Sequence, residues 1–227
     1  MQGCEQWLYR AEGNGMKKVI GFSAGSIGRV GNVDRMVQTI LAKSGLEAEF
    51  VKLADLNYSG CKGCVHLCAR PQVCMLQDDL LPYYQKIKEA DAVVVGAPVY
   101  FDAANTMATS FLERFFGYRH VSIPIAGKPF VVVVAGAMTL DAAGEQLQHV
   151  LQDFFQARVL DVVRYQSQVP PCFKCGRHRE CEIGGLYAML GEAAHDLTIT
   201  PEMFTQWEDD PATAAAVDAA AERLKAI

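Results

Sequence analysis

Seven of the chain's eight cysteines fall into two short segments, and clustered thiols are the first chemistry legible in its 227 residues. Cys61-Lys62-Gly63-Cys64 is followed by Cys68 and Cys74, four thiols within fourteen residues. A structural zinc site usually joins two C-x-x-C knuckles across a longer insert, whereas cubane clusters are often held by compact runs of this kind. The spacing predicts a 4Fe-4S cluster on Cys61, Cys64, Cys68 and Cys74. The alternatives are zinc, or four cysteines packed as small hydrophobes. Gly63 suits a tight turn that lets backbone N–H groups face the sulfurs. Cys172-Phe173-Lys174-Cys175 and Cys181 predict a second metal site, another iron–sulfur cluster or zinc, against a plain reduced cysteine loop. Three thiolates leave it one ligand short, and His178 and the isolated Cys4 are the candidates for the fourth. His66 reads as a solvated loop residue, and His120, His149 and His195 have no partner identifiable from the sequence.

A second chemical signal lies in Ser23-Ala24-Gly25-Ser26-Ile27-Gly28-Arg29-Val30-Gly31-Asn32, between a strand candidate and a helix candidate. A Gly/Ser-rich loop opening a helix offers free backbone N–H groups and a positive dipole end to a phosphate. Glycines also simply make turns, and neither the G-x-G-x-x-G dinucleotide pattern nor a Walker lysine–serine pair is present. The candidate contacts are Ser23, Gly25, Ser26, Arg29, Gly31 and Asn32.

The elements that must position these residues alternate. Strands are predicted at residues 18–22, 48–52, 92–96, 130–135 and 159–165, and helices at 32–43, 79–89, 106–116 and 144–157. Short Val-rich runs between helix-length segments imply a parallel sheet covered on both faces. Ligands in such sheets bind at the carboxyl ends of strands. That edge adds Pro98, Val99, Tyr100 and Phe101 after the third strand, and Ala135, Gly136 and Ala137 after the fourth. Tyr100 and Phe101 there suit a wall for a planar ring. In the tail, helices are predicted at 186–197, 201–208 and 211–226 as cover or an oligomer contact. Thr200-Pro201 and Asp210-Pro211 place an N-cap residue before a first-position proline.

The net charge of −5 gives no reason to expect a nucleic-acid or anionic-membrane partner. No apolar run approaches the roughly 20 residues a bilayer span needs. Residues 1–15 carry no secretory pattern, so a reducing cytoplasm is the expected location, where clustered cysteines bind metals more often than they pair. The division expected is an extension at 1–15, one domain at 16–197 and a helical tail at 198–227.

From Met16 to about Ala193 the chain resembles iron–sulfur flavoproteins of the NAD(P)H-dependent FMN reductase group, within the flavodoxin-like superfamily. Gly25-Ser26 through Gly31-Asn32 is similar to the family's phosphate loop. Pro98-Val99-Tyr100-Phe101, with Met107 and Phe111-Leu112-Glu113-Arg114, is similar to its second flavin loop and following helix. Residues 135–146 are similar to its third. Cys61 to Cys74 followed by Asp78-Asp79 matches its cysteine motif, with three residues rather than two between Cys64 and Cys68. Val33 replaces a common Thr and Ile27-Gly28 a Pro-Arg pair, which leaves Arg29 to supply charge. The resemblance implies FMN, a doubly wound five-stranded α/β sheet in the order 2-1-3-4-5, and a homodimer or homotetramer with a cluster near a subunit boundary. Tyr100, Phe101 and Asn105 are the expected neighbours of the flavin ring.

These features point to oxidoreduction between FMN and a 4Fe-4S cluster, with NAD(P)H or a redox partner protein as donor. The rivals are a flavin or quinone reductase with structural zinc, and a redox sensor without turnover. The second cysteine segment follows the fifth strand, and four strand spacings of about 4.8 Å put it roughly 19 Å from the second strand. The two segments are therefore expected to form separate centres.

Overall fold

The computed structural model describes residues 16–227, so Cys4 and the extension at 1–15 lie outside the described residues. In chain order the elements are β1 (Lys18–Ser23), α1 (Asn32–Lys43), β2 (Glu47–Lys52), α2 (Val65–Cys68), α3 (Leu81–Glu89), β3 (Ala92–Tyr100), β4 (Ala103–Ala104), α4 (Thr106–Glu113), β5 (Pro129–Gly136), α5 (Asp141–His149), β6 (Arg158–Gln166), α6 (Cys172–Cys175), α7 (Gly185–Leu190), α8 (Ala193–Asp196) and α9 (Pro211–Lys225). The long strands are all parallel, in the order β2-β1-β3-β5-β6. This is the expected 2-1-3-4-5 order once the two-residue β4, antiparallel to the end of β3, is set aside. The fold is flavodoxin-like.

Period-two alternation sorts the strand side chains. Val93, Val95, Phe130, Val132 and Val134 face a core built with Tyr84 and Ile87 of α3, Phe111 of α4 and Leu147 of α5. Val94, Val131 and Val133 face the other way, onto Met36, Val37 and Ile40 of α1 and Val217, Ala220 and Leu224 of α9. Both faces are apolar, which is why the strands read as continuous Val-rich runs rather than alternating ones. The stripe of small residues in α9 packs against α1 and β6 inside the domain.

Several helices stop earlier than their sequence pattern predicts. The 106–116 pattern tightens into a 3-10 turn at Arg114–Tyr118, and the 144–157 pattern becomes a π turn at Val150–Phe154. The 186–197 pattern breaks at Gly191, whose φ of +59° ends α7 and starts α8 afresh. The 201–208 pattern yields only two 3-10 turns, Pro201–Met203 and Trp207–Asp209. None of the described helices is long and apolar enough to cross a membrane.

Leu224 is fully buried at the α1–α9–β6 seam. Leu224→Ala should cost about 2–5 kcal/mol, read as a lower urea midpoint; an unchanged midpoint would mean that α9 is an appendage.

Candidate flavin and metal site

The loop between β1 and α1 is braced from below by one carboxylate. Asp34, 1% exposed, accepts a hydrogen bond from the Ser23 hydroxyl at 2.6 Å and from the Gly31 backbone N–H at 2.7 Å. Lys52 at the end of β2 pairs with the same carboxylate at 3.0 Å and also donates to the Arg29 carbonyl. Ser23 is thus a support of the loop, accepting the Gly25 N–H at 3.2 Å, rather than a free hydroxyl. Arg29 reaches Ser26 Oγ at 3.1 Å, which holds its guanidinium over the loop. The Asp34–Lys52 brace escaped the sequence reading because its partners come from three separate elements.

The second loop is a two-residue hairpin whose central residues, Phe101 and Asp102, have φ of +53° and +61°. A type I′ turn needs this conformation and normally recruits Asn or Gly. A non-Gly residue held there costs about 1–2 kcal/mol. Such stored strain clusters at functional sites. The turn lifts Phe101 fully into solvent and leaves Tyr100 half exposed. Asp102 binds the Thr139 hydroxyl, which ties the hairpin to the loop after β5. Asn105 is buried, donates to the Ala24 carbonyl at 2.9 Å and accepts the Ala108 N–H at 3.2 Å as the N-cap of α4. It joins the first loop to the second. Ala135 to Ala137 end β5 beside them, with Gly136 packed against Val99. Ile27, Val30, Tyr100, Phe101 and Met138 leave an exposed apolar rim on these three loops.

The first cysteine run is gripped by the end of α4. Arg114 is 1% exposed, and four of its N–H directions are used. Nε donates to Cys74 Sγ at 2.8 Å. Nη1 donates to the Ser59 carbonyl at 2.9 Å and to Asp78 Oδ2 at 2.6 Å, and Nη2 to Asp78 Oδ1 at 3.1 Å. Burial works against the charged guanidinium, but Asp78, with Tyr84 and Cys74 adding to it, outweighs it and raises its pKa. Glu113 accepts the Cys61 N–H at 3.3 Å, and Asp79 accepts the Asn57 N–H at 2.7 Å. Both ends of the run are thereby fixed to the helix that follows the hairpin. A Cβ on Gly117 would lie 2.5 Å from the Cys74 backbone nitrogen, so only glycine lets the two segments meet.

His120, which looked isolated in the sequence, places Nε2 3.1 Å from Cys68 Sγ. His149 pairs with Asp153, and His195 lies 3.4 Å from Glu192. Burial pushes the Cys68 thiol pKa up, with charge on Cys74, Cys64 and Cys61 adding to it. The Gly63 N–H points at Cys61 Sγ at 3.5 Å. Among the described residues no three His, Cys, Asp or Glu side chains converge as a set for a single metal ion. Four thiols in one short run, with N–H donors to Cys61 and Cys74, are the kind of ligands an iron–sulfur cluster takes.

Cys172, Cys175 and Cys181 sit in the long connection between β6 and α9. All three are free and partly or fully exposed. This connection does not stay at the β6 edge. Burial lowers the pKa of Lys174, and the charges of Arg29 and Arg35 lower it further, so the segment lies within electrostatic range of the loop between β1 and α1. Arg35 also pairs with Glu208 of the same connection at 2.7 Å.

A profile of the family described as NADPH-dependent FMN reductase matches residues 17–169. An iron–sulfur flavoprotein of Methanocaldococcus jannaschii is 32% identical over 149 residues, 64% of this chain and 75% of that protein. An iron–sulfur flavoprotein of Archaeoglobus fulgidus is 31% identical over 96 residues, covering 42% of this chain and 47%, about half, of its own length. An azoreductase from Bacillus anthracis superimposes with a TM-score of 0.53 over 93% of this chain and 100% of its own, at 11% identity, a likeness of fold alone. The chain belongs to the NADPH-dependent FMN reductase family, in its iron–sulfur flavoprotein group. As a member it is an FMN-dependent oxidoreductase.

Arg114→Met should cost about 3–5 kcal/mol, because the Asp78 carboxylate loses its buried partner. Equilibrium urea unfolding checks this. Arg114→Lys should recover only part of the loss, since an ammonium cannot reproduce the forked contact; equal stability of all three proteins would remove the clamp from the account.

Proposed function

We propose that the chain binds FMN across its three carboxyl-edge loops and a 4Fe-4S cluster on Cys61, Cys64, Cys68 and Cys74, and moves electrons between the two. Backbone N–H groups from Gly25 to Asn32, with Ser26 and Arg29, receive the phosphate. Pro98, Val99, Tyr100 and Phe101 wall one side of the ring, and Ala135, Gly136 and Ala137 leave room on the other. Asn105 fixes the spacing between the first two loops. When bound, FMN exchanges one or two electrons and the cluster one, which lets hydride chemistry feed single-electron steps.

One observation carries this reading. The helix that follows the Tyr100–Phe101 hairpin ends in Arg114, and Arg114 donates to Cys74. The hairpin and the cysteine run are therefore tied to opposite ends of one helix. The rim of exposed apolar residues suits a nicotinamide or quinone approaching the ring, and NAD(P)H or a redox partner protein is the donor we assign.

Chromatography of flavin released from the purified protein should yield FMN, and FAD as the dominant species would remove the mononucleotide reading. Cys64→Ser should lose about four irons per chain while keeping its flavin. Unchanged iron in that variant would remove the ligand assignment.

A further inference from the structure

The loop assigned to the flavin phosphate rests on a negative charge. Asp34, in the first turn of α1, is 1% exposed and lies directly under that loop. A Cβ on Gly25 would lie 2.5 Å from Asp34 Oδ1, so the loop backbone is in contact with the carboxylate. The Ser23 hydroxyl and the Gly31 N–H both donate to it. These bonds shape the loop, but the charge that accepts them opposes a second anion bound above it. A phosphate monoester carries about −1.5 to −2 at neutral pH. At an effective dielectric constant of about 20, like charges held this close change affinity by roughly tenfold or more.

Lys52 removes the conflict. The parallel register of β1 and β2 sets Lys52 beside Ser23 at the carboxyl edge of the sheet. Its side chain is only 12% exposed, and Nζ lies 3.0 Å from Asp34 Oδ2. The same ammonium donates to the Arg29 carbonyl, further along the loop. One cation thus neutralises the carboxylate and ties it to the loop backbone. Arg29 and Arg35 are engaged elsewhere. Arg29 donates to Ser26 Oγ, and Arg35 donates to Asn32 Oδ1 at 2.6 Å and pairs with Glu208 at 2.7 Å.

We propose that Lys52 is a positioning residue that makes this loop selective for a phosphorylated flavin. It cancels the Asp34 charge that shapes the loop, and so lets the loop take FMN in preference to riboflavin. It acts through Asp34 and the Arg29 carbonyl rather than by touching the phosphate. The inference rests on the assignment of the FMN phosphate to this loop and adds the residue that sets its selectivity.

The test compares FMN with riboflavin, which has the same ring and no phosphate. The 227-residue chain, freed of flavin, is titrated with each, and binding is read from flavin fluorescence. The parent should bind FMN more tightly than riboflavin. Lys52→Met should lose about tenfold or more in FMN affinity and keep its riboflavin affinity, which also reports that it has folded. Adding Asp34→Asn to Lys52→Met should restore FMN binding, because an amide can give its NH2 to Ser23 Oγ and keep its oxygen for the Gly31 N–H. Asp34→Asn alone should bind FMN at least as tightly as the parent, and Lys52→Arg should keep the preference for FMN. Equal loss of both flavins in a folded Lys52→Met, or a double variant no better than Lys52→Met, would overturn the proposal. If Lys52→Met does not fold, Asp34→Asn alone decides: an FMN preference below the parent's overturns the proposal, and one at or above it supports it. A parent that binds both flavins equally would remove the phosphate-loop assignment itself, and the proposal with it.

Discussion

A single buried guanidinium holds the site together. Arg114 lies where the α4 helix tightens, and it contacts the chain before the first cysteine run, the last cysteine in it and the aspartate just after it. A buried charge is tolerated only when its donors are used, because desolvation costs several kcal/mol. Here the donors can be used only if the loop from Ser59 to Asp78 closes around them. The requirement of the charge is thus the geometry of the loop. The same guanidinium donates to the Cys74 sulfur, so the group that shapes the loop also fixes where that thiol points.

The rest of the edge is built on comparable constraints at closer range. Asp34 anchors the first loop through Ser23, Gly31 and Lys52, and Asn105 stitches that loop to the hairpin. The hairpin is itself strained at Phe101 and Asp102, and the Asp102–Thr139 contact helps to hold it. Loops tied to one another in this way are held in a defined register although they are exposed. Defined placement is what electron transfer between two bound groups requires, since neither the flavin nor a cluster is then free to drift.

Much of this was legible before any coordinates. The Val-rich strands and the Gly/Ser loop after the first of them report local requirements: burial on both faces, and a turn opening a helix. The compact cysteine run and its Asp78 neighbour were visible as a motif. Arg114 was visible only as one letter of a helix motif, because its partners lie 36 to 55 positions away. His120 carries no sequence signal for the same reason, 52 residues from Cys68. The hairpin turn gave no signal because it lacks Gly or Asn at its centre. The tail was harder still. Helical patterns at 186–197 and 201–208 reflect propensity alone, and propensity yields to left-handed breaks such as Gly191 and to short turns under tertiary control. The placement of the second cysteine segment within electrostatic range of Arg29 could not be read from strand order, which fixes where a connection starts but not where it travels.

The central claim is that flavin and cluster exchange electrons within one assembled protein. Anaerobic rapid mixing with a chemical reductant, with flavin and iron–sulfur absorbance followed separately, tests it most directly. The account predicts that the two absorbance changes are linked by a step whose rate does not depend on protein concentration. A linking rate that rises in proportion to protein concentration, or two changes that proceed without reference to each other, would contradict it.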